Sequence, residues 1–265
     1  KLSSCLARLT ISRSSTTPTR GANCSSSCAG TSIVPRCDTV GRMKVSEAIN
    51  SRRSMRVFKA DPVAKADVEW IISTANRAAS NGNLQPWKLY VTMGAARQRL
   101  STAILKAMDD NDHGPGAEYS VYPKEFTPVY DARRKLVGKQ LYTLLNVPRG
   151  DTAGMTKQFR KNYDFFDAPV GMILCVERRM EKGQWIDCGI FLDQLMLLAR
   201  EKGLHTCPQA AFSRYQHVVR RELKIPDDQV VICGLALGYA DPDAVPNNLI
   251  TERAPLADFT TWFTE

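Results

Sequence analysis

The run from Asp187 to Lys202 most limits what this chain can become. Ile190, Phe191, Leu192, Leu195, Met196, Leu198 and Ala199 recur at helical spacing and wrap most of its circumference. Asp187 is the expected cap and Gly203 the expected stop. A helix that is apolar nearly all round lies in a core or in an oligomer interface. Val170–Glu177 is apolar on both faces and reads as an interior strand. Asp228–Tyr239 reads as another, with Gly234 and Gly238 marking close backbone approaches. Lys88–Thr92 is a third strand by alternation and β-propensity. Helical patterns cover Val45–Ile49, a segment opening at Asp61-Pro62 and running through Arg77, and residues 95–108, 132–145 and 215–223. Three or more strands among many helices leave an α+β or an α/β domain open.

Composition narrows the function classes. An apolar fraction of 43% over 265 residues suffices for a sizeable core. No stretch approaches the roughly 18 apolar residues of a membrane span, so no membrane association is expected. The formal charge of +9 is unevenly placed: residues 1–44 hold seven Lys/Arg and one acid, Asp38, leaving +3 for the rest. With no interleaved basic and aromatic stripe, a nucleic-acid partner is not expected. Residues 1–42 are rich in Ser, Thr and Arg and lack acids before Asp38, the composition of an organellar transit peptide. The expected organelle is the mitochondrion, with the plastid as alternative and the cytoplasm if this segment is no targeting signal. The folded domain is then expected over residues 43–265. Four of the eight cysteines fall in the extension and the others are dispersed, which suits a reduced compartment rather than a disulfide framework.

Several catalytic templates are missing. There is no Gly-x-Gly-x-x-Gly after a strand, no Walker loop, and no metal-like pairing among His113, His205 and His217. Cys24 and Cys28 have zinc-like spacing but no second pair nearby, so no metal site is expected. His205 lies near Cys207, but no thiol-catalysis signature surrounds them. What stands out is Arg52-Arg53-Ser54-Met55-Arg56. Taken alone, it is either a solvated helix end or a phosphate site, because guanidinium forks match phosphate oxygens. Further on come an amide-rich loop, Ala78 to Trp87, and the Cys207-Pro208-Gln209 turn. Donors for phosphate, amides and Gly/Pro backbone suit a cofactor that performs its own redox chemistry.

In this order the motifs resemble the FMN-dependent nitroreductase family, in particular its nitrobenzoate-reductase-like branch. The resemblance rests on Arg52–Phe58, Ala78–Trp87, Asn162–Val170, Thr206–Phe212, and Cys233–Asp241 with Thr251–Pro255, and covers residues 43–263. It implies an α+β fold, a central, mostly antiparallel sheet flanked by helices, in an obligate homodimer. It also implies that Arg52 and Ser54 hold the FMN phosphate with Arg53 beside them, and that Arg253 closes on it. Arg56 would lie at the pyrimidine edge, Asn83 and Gln85 near the flavin, and Pro208, Gln209 and Ala210 along the ring. Ala79, Ser80 and Asn81 would approach from the partner subunit. Three positions depart from relatives: Ala79 for a common Pro, Thr251 for a Lys and Ala210 for a Glu. The implied activity is ping-pong transfer of a hydride from NADH or NADPH, through flavin N5, to a small nitroaromatic or quinone-type acceptor. The flavin performs the chemistry, so no protein catalytic residue is expected. The alternatives are a reductive dehalogenase-like flavoprotein, with Glu118, Tyr122 and Lys139 as candidate lid residues, or a flavin-binding protein without turnover.

Overall fold

The computed structural model of the protein describes residues 43–265. The transit peptide expected over 1–42, with its four cysteines, lies outside the described residues. Four strands form one sheet in the order β1-β2-β4-β3, every named pair antiparallel: β1 Trp87–Met93, β2 Val170–Glu177, β3 His205–Gln209 and β4 Gln229–Gly238. The helices are α1 Val45–Ser51, α2 Lys65–Ala75, α3 Gly94–Asp109, α4 Pro128–Leu144, α5 Thr152–Arg160, α6 Lys182–Glu201 and α7 Gln216–Leu223. The α+β architecture with an antiparallel sheet between helices is as expected.

The alternation of strand side chains divides the core into two layers. On one face Ile173 and Cys175 of β2 meet α3, α7 and an aromatic cluster of Tyr163, Phe165, Phe212 and Tyr215. On the other, Val170, Met172, Leu174 and Val176 meet α2 and α6 through Ile71, Phe191 and Leu195. Gly234 is required by the first layer, because a Cβ there would stand 2.4 Å from the Phe212 ring.

Several element boundaries differ from the sequence pattern. α6 begins five residues before Asp187, at a reciprocal capping box between Glu181 and Gln184. Asp187 is therefore inside the helix, buried, and accepts the Asn81 N–H at 3.2 Å. α6 is also not enclosed all round: Ile186 and Ile190 are exposed, as are Val45 and Ile49 of α1. The second helix starts at Lys65 rather than at Pro62. β3 replaces a segment that reads as a turn, and α5 adds a helix that no sequence pattern above predicts.

Candidate functional site

The basic segment Arg52–Phe58 is extended and stitched to four separate parts of the chain. Its Ser54 forms a parallel bridge with Thr206 of β3, and the Met55 N–H donates to Thr206 O at 3.1 Å. The Phe58 N–H donates to Phe166 O, and Phe58 bridges Ala240. Asn247 splints the middle. Its buried side chain accepts from the Arg56 and Val57 N–H groups at 2.7 and 3.3 Å and donates to Val57 O and Asp241 O at 2.8 and 2.9 Å.

The side chains of this segment divide between the core and β3. Met55 and Phe58 enter the aromatic core. Arg52, Ser54 and Arg56 gather at Cys207 on β3. The Cys207 thiol donates to Pro208 O at 3.9 Å, and the groups that favour its ionisation are Arg56, Ser54 and Arg52. Burial outweighs them and pushes the Cys207 thiol up to about 11, so it stays neutral. Arg53 lies toward His205 and Arg200. Arg200 donates to Ser51 Oγ at 3.2 Å and to Leu204 O at 2.7 Å, tying the end of α1 to the start of β3. Burial, then Arg200 and Arg53, push the His205 imidazole down to about 4. Cations thus concentrate on both sides of the segment, and no acid contributes to either cluster. That is the electrostatic requirement of an anion site.

β3 is an edge strand, and the Arg52 segment covers that edge only at Thr206. Beyond it come Pro208, Gln209 and Ala210. Pro208 and Cys207 line a cavity of about 200 Å³ with Arg56, Gln158, Asn162 and Phe166. Gln209 is buried, and its amide donates to Asn162 O at 2.6 Å. Its Oε1 and the Thr206 hydroxyl are buried with no hydrogen-bond partner among the described residues. The cavity wall is strained. Phe165, Phe166 and Asp167 hold φ of 50°, 55° and 69° in succession, a left-handed run costing roughly 1–2 kcal/mol per residue. Packing holds it there: Phe165 lies where a Cβ on Gly171 would be, 2.5 Å away, and stacks on Phe212 at 4.5 Å.

The remaining residues expected at the site are held elsewhere on this chain. Ala79–Gln85 forms an exposed loop anchored by Asn81 to Asp187. Its left-handed residues Gly82, Asn83 and Gln85 turn it back on itself, with the Gln85 amide on Asn83 O and the Gln85 N–H on Ser80 Oγ. No hydrogen bond joins this loop to Arg52 among the described residues. Arg253 is exposed, folds onto Thr251 and Glu252, and lines a cleft of about 720 Å³ against Arg133 and Gln140 of α4. The next residues of α4, Leu141 and Tyr142, line the Arg56 cavity, so one helix walls both spaces. Of the lid residues, Glu118 is held between Arg178 and Arg220 at 2.6 and 2.9 Å, whereas Tyr122 is exposed. Asn247 and Arg200 escaped sequence reasoning, because no local pattern marks a polar residue whose partners are distant in the chain, and Gln158 escaped it because α5 itself was not expected.

Known proteins resemble this chain in sequence and fold. A nitroreductase family profile matches residues 49–239. The chain is similar to a 4-nitrobenzoate reductase of Pseudomonas putida, 37% identical over 80% of this chain and 92% of that protein. It is also similar to the FMN and NADPH-dependent nitroreductase NfnB of Sphigopyxis sp. strain HMH, 40% identical over 84% of this chain and all of that one, with a TM-score of 0.81. The FMN-dependent NfnB of Mycobacterium smegmatis, solved in complex with NADPH, is 30% identical over 83% of this chain and 97% of that chain, with a TM-score of 0.79. A profile spanning the basic segment, β3 and β4, together with relatives matched over nearly their full length, makes this chain a member of the nitroreductase family.

Proposed function

We propose that this chain is an FMN-dependent NAD(P)H oxidoreductase that reduces nitroaromatic or quinone-type acceptors. The observation that carries it is the gathering of Arg52, Ser54 and Arg56 at the edge of β3, beside the buried, unpartnered oxygens of Thr206 and Gln209. Donors without acids fit a phosphate, and unsatisfied polar groups at a strand edge fit a polar ring system. When bound, FMN supplies a two-electron relay between a nicotinamide and the acceptor.

The chain's own groups bind and tune. Arg52 and Ser54 hold the phosphate, with Arg53 adding charge from the side of His205. Arg56 sets positive charge at the pyrimidine edge, which favours the reduced, anionic flavin. Pro208, Gln209 and Ala210 present backbone to the ring. Phe166 forms part of the cavity wall. Arg253 meets the phosphate from the C-terminal segment. NADPH is the preferred donor, consistent with the NADPH named for both NfnB structures. A shift of Glu118 into substrate binding would break two ion pairs, which disfavours dehalogenase-type chemistry.

A homodimer completes the site, with Ala79, Ser80, Asn81, Asn83 and Gln85 facing the flavin of the second copy. The exposed Val45, Ile49, Ile186 and Ile190 support that arrangement, as does the exposed tail Phe259, Trp262 and Phe263. Residues 1–42 act as an organellar address, most consistent with the mitochondrion.

Flavin content tests the assignment. Wild-type protein should copurify with FMN, while Arg52→Ala, which leaves the core untouched, should lose most of it. Equal flavin content in the two would refute the phosphate site.

A further inference from the structure

We infer that the Gln158 carboxamide is a cofactor-binding group that meets the pyrimidine edge of the flavin beside Arg56. The inference rests on the FMN assignment above and adds a residue to it.

Gln158 belongs to α5 and is only 9% exposed. It lines the cavity of about 200 Å³ that also holds Arg56, Cys207 and Pro208. Among the described residues, no hydrogen bond satisfies its carboxamide. The carboxamide atoms are not sealed off from solvent-accessible space, and an unpaired amide bordering a cavity is available to a ligand's polar atoms. Its neighbour Asn162 differs, because that amide is already used on Phe159 O at 3.0 Å. The backbone that carries Gln158 is fixed at both ends. Asp151 caps α5 by accepting the Gly154 N–H at 2.8 Å, and Arg160 pairs with Asp109 at 2.7 and 3.2 Å. The backbone beneath the carboxamide is thus held in place before any ligand arrives.

Chemistry chooses the flavin over the electron acceptor. The pyrimidine edge presents an N–H donor between two carbonyl acceptors. A carboxamide offers both a donor and an acceptor, whereas the Arg56 guanidinium offers donors only. A nitro group presents oxygens alone, which Arg56 can satisfy without help. Gln158 and Arg56 together therefore match the mixed edge of the ring.

The test uses full-length protein and three readouts: FMN affinity by fluorescence titration, the flavin reduction potential, and KM for 4-nitrobenzoate. Gln158→Leu keeps the size of the side chain and removes both hydrogen-bonding functions, so FMN should bind about ten-fold more weakly. Gln158→Glu adds negative charge at the pyrimidine edge and should lower the reduction potential, which a merely structural residue would not do. If Gln158→Leu does not fold, Gln158→Asn, one methylene shorter, should show the same weakening. FMN affinity and potential unchanged in the folded variants would overturn the inference. So would a change confined to the KM for nitrobenzoate, which would assign Gln158 to the acceptor. Failure of the FMN assignment itself looks different: wild-type protein would not bind FMN at all.

Discussion

Replacing Asn247 with Leu removes the splint beneath Arg56 while nearly conserving volume. Four hydrogen bonds are lost, of which those to Arg56 N, Val57 O and Asp241 O, at 2.7 to 2.9 Å, are short. The fourth, to Val57 N at 3.3 Å, is shared with the first and adds little. At about 1 kcal/mol for each short bond, the loss comes to about 3 kcal/mol. For a domain of this size that corresponds to a fall in melting temperature of about 6–12 °C. Asn247→Asp keeps the acceptor for the two N–H groups but turns a carboxylate toward two carbonyls, so it should fall at least as far. Thermal unfolding by circular dichroism measures the shift, and FMN titration of the folded variant reports whether Arg56 has moved. A melting temperature within about 1 °C of wild type, well under the shift for one kcal/mol, would refute the splint.

Other consequences follow from the same geometry. Arg56→Leu should lower the flavin reduction potential, whereas Arg52→Ala should act mainly on FMN affinity; spectroelectrochemical titration separates the two. His205 has a folded pKa of about 4, below its ordinary value, so the unfolded chain takes up its proton first. Stability should therefore fall as pH drops from about 6.5 toward 4, and His205→Gln should flatten that slope in denaturant titrations across the range. Gly234→Ala would set a methyl 2.4 Å from the Phe212 ring, and should cost about 1–3 kcal/mol in urea unfolding through overpacking.

How much of this was legible in the sequence depended on the distance over which each feature is decided. β2, β4 and most of α6 declare themselves because burial on both faces leaves a continuous apolar run. β3 does not: His205-Thr206-Cys207-Pro208-Gln209 has no alternation and carries a Pro, and is a strand only because β4 pairs with it. α5 is short, contains Gly154 and buries only Gln158, so its apolar period is weak. The start of α6 was hidden by a Glu cap, which lies outside the usual Ser, Thr, Asp and Asn set, and Asp187, which resembles a cap, serves the Asn81 loop instead. At the site, the Arg52–Arg56 cluster was visible because its charges are contiguous. Asn247 was not, because it acts 190 residues away from the segment that it holds.

Electron transfer through a bound flavin can be followed by an anaerobic titration of purified protein. NADPH, added under argon, should bleach a bound flavin absorbance with a stoichiometry of one nicotinamide per flavin, and a following addition of 4-nitrobenzoate should restore the colour. A protein that carries no flavin after reconstitution with FMN, or whose bound flavin keeps its colour with both NADPH and NADH, would contradict the assignment.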